Sequence, residues 1–391
     1  MRQDSIEDLL KDWDNWQGSD NPMPSTPTLQ EKKVVSSPNI INTYQQALTP
    51  FEQLTQFSVT GQSRKLKRQM LADQFVLNGI AIMGQWTTIY GAPNSGKTLI
   101  TNWLLRETLL SDVVDGELLF YVNADDTYRG LVEKIALAEE WGMHIIAPHH
   151  NNFAVNQVPE LMNAMGSDGS AHGAVIILDT LKKFTDLMDK RSSSEFGVAA
   201  RGFVSAGGTL IALAHTNKHT NADGKAIYAG TSDIVDDSDC CFIINKVSKN
   251  ENSDGSATHI VEFDNHKARG DVEPKVGFKY EKRHGQAYSG LIDTVKRLDG
   301  NALEDLKDKA TVQAALDSDE LIIQTICKLI EDGVVTKDKI IKCAHELAGE
   351  SNARIRSTLD HRTGNLYDLG HRWSLKKEAH NRHVYAVLPT P

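Results

Sequence analysis

Apolar positions along the chain keep two different periods. From Trp86 onward, short apolar runs alternate with stretches of helical spacing. The runs are TTIYG (closing at Gly91), LLFYVNADD, AVIILDT, TLIALAHTN, CCFIINKV and HIVEFDN, each bounded by Gly, Asp or Ser. Strands alternating with helices predict an α/β domain around a largely parallel sheet. The last two runs flank SKNENSDGSA, a polar turn region with a glycine, and predict an antiparallel hairpin, with the sheet ending near Tyr280. Between Gln45 and Ala81 the pattern is mixed and mostly helical. It carries a basic knot, RKLKR (Arg64–Arg68), which suits a solvated helix face or a nucleic-acid contact.

Both ends of the chain read differently from this middle. Ile6, Leu9, Leu10 and Trp13 fall at helical spacing, with Trp16 three positions on, so residues 1–20 predict a short amphipathic helix. Such a helix docks on its own body or binds a protein partner. Pro22, Pro24, Pro27 and Pro38 make residues 18–40 a disordered linker, and residues 1–40 together a tail. The α/β domain with its lead-in is assigned to residues 41–298. The charged stretch DGNALEDLKDKATVQ makes residues 299–316 a linker, and residues 317–391 form a last module.

That module begins with DSDELIIQTICKLIEDG, whose Leu321, Ile322, Ile326, Leu329 and Ile330 lie on a broad apolar stripe. TKDKIIKCAHELAGE follows, with a Thr N-cap and Gly349 at its end, and a third helix starts near Ser351. HRWSLKK and HVYAVLP then flank EAHNR as a hairpin. Three helices closed by a two-stranded hairpin is the winged-helix plan, whose third helix lies in the groove of duplex DNA in helix-turn-helix proteins. Asn352, Arg354, Arg356 and Arg362 are its candidate contacts, with Ile355 and Leu359 facing the core. Lys376, Lys377, Asn381 and Arg382 lie near the hairpin tip and suit phosphates. Small winged helices also serve as protein-interaction modules.

Composition narrows this picture. Hydrophobic residues make up 40% and charged residues 24% of the 391, ordinary for a globular protein. No apolar run reaches the ~18 residues of a membrane span, and MRQDSIEDLLKDWDNW lacks the apolar core of a secretion signal. Cys240, Cys241, Cys327 and Cys343 show no metal-ligand spacing and read as free thiols, which fits a reducing cytoplasm. A net charge of -10 excludes a protein that coats nucleic acid with its whole surface. Residues 335–391 nevertheless carry ten Lys/Arg against six Asp/Glu, with five histidines, so anion binding is localised there.

One segment carries chemistry outright. GAPNSGKT (Gly91, Ala92, Pro93, Asn94, Ser95, Gly96, Lys97, Thr98), with Leu99 after it, satisfies G-x-x-x-x-G-K-[ST] between a β-rich run and a helical one. The loop must turn consecutive N–H groups inward around a phosphate, which glycines permit without Cβ clashes. Lys97 reaches the β/γ-phosphates, Thr98 offers a hydroxyl to Mg²⁺, and the helix aims its positive end at the same anion. The reading is a nucleoside triphosphate such as ATP, with Mg²⁺. HGAVIILDT, an apolar strand ending in Asp179, supplies a carboxylate for the metal shell. LLFYVNADD puts Asp125 and Asp126, and TLIALAHTNK puts His215, Thr216, Asn217 and Lys218, at strand ends where α/β folds place ligands.

With these segments in this order, residues 75–280 resemble the RecA-fold ATPases, particularly the RepA-like plasmid and phage helicases and their DnaB-type relatives. AGTSDIVDDSD precedes an apolar strand, and HKARG after the hairpin looks like that group's K-x-R-x-G element. The resemblance implies a hexameric ring with nucleotide between subunits. Lys267 and Arg269 would then act as fingers on the neighbour's γ-phosphate. It also implies DNA-contacting loops, here LKKFTDLMDKRSSSEFG and NKHTNADGKAIYAG, with Lys182, Lys183, Lys190, Arg191, Lys218 and Lys225. Relatives carry a Glu where this chain has Asp125, so the water-polarising carboxylate is shorter, with Asp126 beside it.

The function implied is that of an ATP-hydrolysing, ring-forming DNA motor, a replicative helicase of a phage or mobile element. The alternative is an ATP-switched DNA-binding regulator or helicase loader with little helicase activity. A small-molecule kinase would need an acceptor site and lid that the sequence does not offer.

Overall fold

The computed structural model describes residues 48–69, 74–220, 226–228, 233–378 and 382–391. The whole of residues 1–40, with the predicted tail helix and the 18–40 linker, lies outside these residues, as do Lys225 and Asn381. The chain divides into two compact units, residues 1–63 and 64–391. In the first, α1 (Pro50–Gln56) is closed by a capping box between Thr49 and Glu52. The second opens with α2, which begins at the boundary (Ser63–Gln69), and holds everything that follows.

A small ribbon, β1 (Phe75–Leu77) and β2 (Ala81–Ile82), leads into β3 (Trp86–Gly91), α3 (Lys97–Leu110), β4 (Leu119–Asn123), α4 (Tyr128–Trp141) and β5 (His144–Ile146). Then come α5 (Gln157–Asp168), β6 (Val175–Asp179), α6 (Lys190–Ser205), β7 (Thr209–Thr220), β8 (Ala226–Tyr228) and α7 (Asp233–Asp237). The hairpin β9 (Cys240–Glu251) and β10 (Ala257–Lys267) precedes β11 (Lys275–Lys282), α8 (Tyr288–Ile292) and β12 (Lys296–Leu298). The sheet order is β12-β11-β10-β9-β3-β7-β6-β4-β5, with β8 on β7. Every pairing from β9 to β5 along that order is parallel, and β9 to β12 run antiparallel. The protein is therefore a mixed α/β fold on a large, mostly parallel central sheet. Among the described residues no helix is long and apolar enough to cross a membrane.

The continuous apolar runs have a direct cause. Successive strand residues point to opposite faces, and here both faces are covered. Ile89, Phe242 and Ile244 enter one core beneath α3 and α4, while Trp86, Tyr90, Cys241 and Ile243 enter the other beneath α5 and α6. Cys240 and Cys241 are buried free thiols.

Three expectations are corrected. The sheet does not end near Tyr280, because Lys296–Leu298 pairs with Gly277–Lys279 as an edge strand. The stretch 299–316 is no open linker: α9 (Gly300–Ser318) is a helix N-capped by Asp299. Its Leu303 packs on Gly277, and Lys307 donates to the buried Glu262 at 2.7 Å. The strand carrying His215 also runs on to Thr220 and pairs back with β8.

Only Asp319 separates α9 from α10 (Glu320–Glu331), and α11 (Lys337–Ala348) and α12 (Asn352–His361) follow. Thr336 and Gly349 bound α11, although Thr336 makes no side-chain cap bond. β13 (Trp373–Lys377) and β14 (His383–Val387) pair in antiparallel register. Trp373 is fully buried, its indole N–H donating to Leu359 O and Thr363 Oγ1, both at 3.0 Å, which locks the ribbon to α12.

Candidate functional site

The loop between β3 and α3 is shaped by two glycines. A Cβ on Gly91 would lie 2.6 Å from Ser95 Oγ and 3.1 Å from Lys97 Cγ, so any larger residue would force the loop's own side chains to shift. Gly96 has φ of 88°, the left-handed region, and a Cβ there would also sit 3.1 Å from the Tyr280 ring. Asn94 is left-handed as well, which asparagine tolerates better than most residues. Gly96 serves as N-cap without a side-chain bond, so α3 turns its positive end, at Lys97, Thr98 and Leu99, to the loop interior. Lys97 is buried, and its Nζ donates to Gly91 O at 2.7 Å and Ala92 O at 3.1 Å.

Three parallel strands end beside this loop. Register sets Asn123 level with Asp179, and Asp179 level with Leu213, two residues short of His215. Asp179 Oδ2 accepts from Thr98 Oγ1 at 2.9 Å and from the buried Tyr121 hydroxyl at 2.7 Å. Asp126 accepts from Asn123 Nδ2 at 2.8 Å and meets Lys134 Nζ at 2.7 Å. Lys134 lies 3.6 Å from Asp179 and over the rings of Tyr121 and Tyr288. Asp125 is more exposed, with Lys183 Nζ and His215 Nε2 each 3.8 Å away.

The electrostatics follow from burial among these charges. Burial pushes the Lys97 ammonium down to about 8, against the pull of Asp179 and Asp125. Burial also lowers His215, helped by Lys97 and Lys182 and opposed by Asp125. Tyr121 is raised well above the ordinary phenol value by burial and by the carboxylate of Asp179, so its hydroxyl stays a donor.

Pro93 to Leu99, Asp125, Asp126, Lys134, Asp179 and His215 line one cleft of ≈430 Å³. Sequence reasoning named all of these but Lys134. Its signal was legible: Leu131, Lys134, Leu137 and Ala138 form the buried stripe of α4, and a lysine on such a stripe needs a partner inside. Tyr121 and Asn123 looked like ordinary strand residues.

Other predicted residues lie elsewhere. Lys267 is paired with Cys241, which is level with Thr88, and Arg269 O accepts from Gln85, the residue before β3. Arg269 is therefore at the amino-terminal edge of the parallel strands, about 20 Å of strand from the loop, and Lys267 is about 10 Å of strand from it. Lys267 Nζ donates to Val235 O at 2.8 Å, and Arg269 pairs with Asp239 at 3.2 Å. Neither can reach its own loop.

The expected DNA-contacting residues also divide. Lys182 and Lys183 are exposed on a short 3₁₀ turn after β6, Lys183 beside Asp125, and Lys190 and Arg191 open α6, so this segment is mostly ordered turn and helix, not a long loop. Lys218 lies on β7, and nothing further of its side chain is described. In the C-terminal module Arg356, Lys376, Lys377 and Arg382 are exposed. Arg354 is tied to Glu350 and Ser318 O, both at 2.9 Å. Arg362 is corrected: it is buried and paired with Asp319 at 2.9 Å, joining α12 to the α9–α10 junction.

The site suits a polyanion with a small divalent cation. Thr98 Oγ1 and Asp179 Oδ2 are adjacent hard oxygens of the kind magnesium takes. Ser95 Oγ is buried without a hydrogen-bond partner among the described residues. No group of three or more His, Cys, Asp or Glu among those residues is placed to hold a metal alone, so a cation here would need ligand oxygens. Compared with models of protein families the chain matches none, and compared with curated proteins it has no significant match.

Proposed function

We propose that the chain is an ATP-binding and ATP-hydrolysing DNA motor of RecA-like, RepA-like type, working as a ring and carrying a winged-helix-like C-terminal module. One observation carries the reading. A glycine-shaped loop at a helix start, a lysine within it, and carboxylates from two neighbouring strand ends converge on one cleft. In this reading Gly91 to Leu99 cradle the triphosphate, while Thr98 and Asp179 hold Mg²⁺. Bound Mg²⁺ supplies charge neutralisation across the phosphates. Asp125 orients the attacking water, His215 sits within reach of Asp125, and Lys134 holds Asp126 in place. Lys267 and Arg269 serve the loop of an adjacent copy, consistent with their position far from their own.

DNA is the proposed partner, single-stranded along Lys182, Lys183, Lys218 and Lys225, and duplex at Arg356, Lys376, Lys377 and Arg382. A second reading, an ATP-gated DNA-binding switch or loader with slow turnover, draws on a specific feature. Asp126 is paired with Lys134 and hydrogen-bonded by Asn123, which leaves the short, more loosely paired Asp125 as the carboxylate for water.

The test is the ATPase rate of the purified chain with and without single-stranded DNA, followed by strand displacement on a forked duplex. DNA-stimulated turnover with displacement supports the motor. ATP-dependent DNA binding without displacement supports the switch. A chain that binds no magnesium–nucleotide, with Lys97→Ala indistinguishable from it, sinks both.

A further inference from the structure

The cleft continues past the phosphate loop. On the side of β3 opposite the carboxylate-bearing strands it runs onto β10 and β11, where His259, Tyr280 and Lys282 line it. His259 and Tyr280 are directly opposed in register, and their rings stack with centroids 4.8 Å apart and planes within 2°. Tyr280 is buried, with its ring edge against Gly96. It therefore fixes the plane of the half-exposed His259 ring relative to the loop. Lys282, two residues along β11, shares this face.

We propose that the outer face of His259 is a stacking platform for the nucleobase of a bound nucleotide, that Lys282 meets its ribose–phosphate oxygens, and that the platform favours purines without separating adenine from guanine. The inference rests on the nucleotide reading proposed above and adds to it the class of base. The geometry supplies a flat aromatic surface, two rings deep, at the far end of the cleft that the loop opens. Stacking is tolerant because every base has a π-face, and larger purine rings overlap an imidazole more fully than pyrimidines do. Lys249 and Glu251, on β9 beside His259, are paired with each other, which leaves Lys282, a flexible donor, and the Tyr280 hydroxyl, which lies against Gly96, as the polar groups lining this end of the cleft. Neither offers the paired donor and acceptor that distinguish adenine from guanine. Burial and the nearby Lys249, Lys246 and Lys282 favour the neutral imidazole, with Glu251 opposing, so the ring meets the base uncharged.

Calorimetric titration of the full chain with ADP, GDP, CDP and inorganic pyrophosphate, each with magnesium, tests this. ADP and GDP should bind with similar affinity and CDP more weakly. His259→Ala should weaken ADP and GDP about tenfold while leaving pyrophosphate unchanged, and His259→Phe should restore them. Unchanged ADP affinity in His259→Ala, or equal loss of ADP and pyrophosphate, overturns the platform and leaves the loop assignment standing. A wild-type chain that binds neither pyrophosphate nor ADP removes the nucleotide reading itself.

Discussion

Lys134 carries its charge into a buried position because two carboxylates meet it there, Asp126 at 2.7 Å and Asp179 at 3.6 Å. Removing one partner of a fully buried pair costs about 3–5 kcal/mol, and the partial exposure of Asp126 reduces that to roughly 2 kcal/mol for Asp126→Asn. Urea unfolding of Asp126→Asn, Lys134→Met and the double variant measures it. The double should lose clearly less than the two singles combined, and strict additivity would mean the charges are not coupled. His259 gives a pH signature at the same scale. Its folded pKa lies below 6.5, first through burial and then through Lys249, Lys246 and Lys282, with Glu251 opposing. The unfolded chain therefore takes up its proton first as pH falls, so this histidine's contribution to stability is present above about 6.5 and is lost as pH drops toward the folded value. Histidine-resolved NMR titration should place the His259 midpoint below 6.5, and Lys282→Ala should move it up. An unmoved midpoint would show that Lys282 does not face the ring. The loop residues were legible because their pattern is local: Gly91, Gly96, Lys97 and Thr98 stand out by spacing alone. Asn123, Tyr121 and His259 were not, because each is an unremarkable strand residue until register brings a neighbour beside it.

At the scale of elements, the charged run after the sheet is the instructive case. DGNALEDLKDKATVQ has few apolar residues, so its pattern suggested a connector, yet Asp299 caps it, Lys307 anchors it to Glu262, and Leu303 and Leu316 bury its two ends. Those partners lie far away in sequence, on β10, β11 and the C-terminal module, and no local period announces them. The same holds for Arg362. A basic residue at the end of a candidate recognition helix suits DNA, but this one turns inward to Asp319 and its backbone carbonyl accepts from Arg372 N at 2.9 Å. Arg362→Ala should destabilise the C-terminal module by about 3 kcal/mol, because it strands a largely buried carboxylate. Arg356→Ala, on the exposed face, should leave the melting temperature unchanged while weakening duplex DNA binding and its salt dependence. Thermal unfolding and fluorescence anisotropy read the two effects separately. A stable Arg362→Ala chain that has lost only DNA affinity would return this arginine to the interface. By contrast, strands β3, β4, β6 and β7 were readable from sequence, since burial on both faces makes each an apolar run closed by a polar tip.

For the whole molecule, the decisive fact is that Arg269 stands at the amino-terminal edge of the parallel strands, and the Lys267 ammonium is tied to α7 before β9, while the loop opens at the carboxyl ends. A side chain cannot cross that thickness, so a role for these residues at a phosphate requires a second copy arranged head to tail, the geometry that closes into a ring. In the free chain both are held in place: Lys267 caps the last carbonyls of α7, and Arg269 shares Asp239 with Arg201. Arg269→Ala should therefore leave magnesium–ATP binding close to wild type but abolish most turnover, whereas Lys97→Ala should abolish tight triphosphate binding. In a head-to-tail ring the two lesions would lie on different faces of one interface. Random mixing in equal amounts pairs an intact loop with an intact finger at about one site in four, so ATPase activity should recover to about a quarter of wild type. Recovery that rises on mixing and falls on dilution identifies a shared site. A mixture no more active than its components means that each chain completes its own cleft, and the head-to-tail assembly would then have to be abandoned.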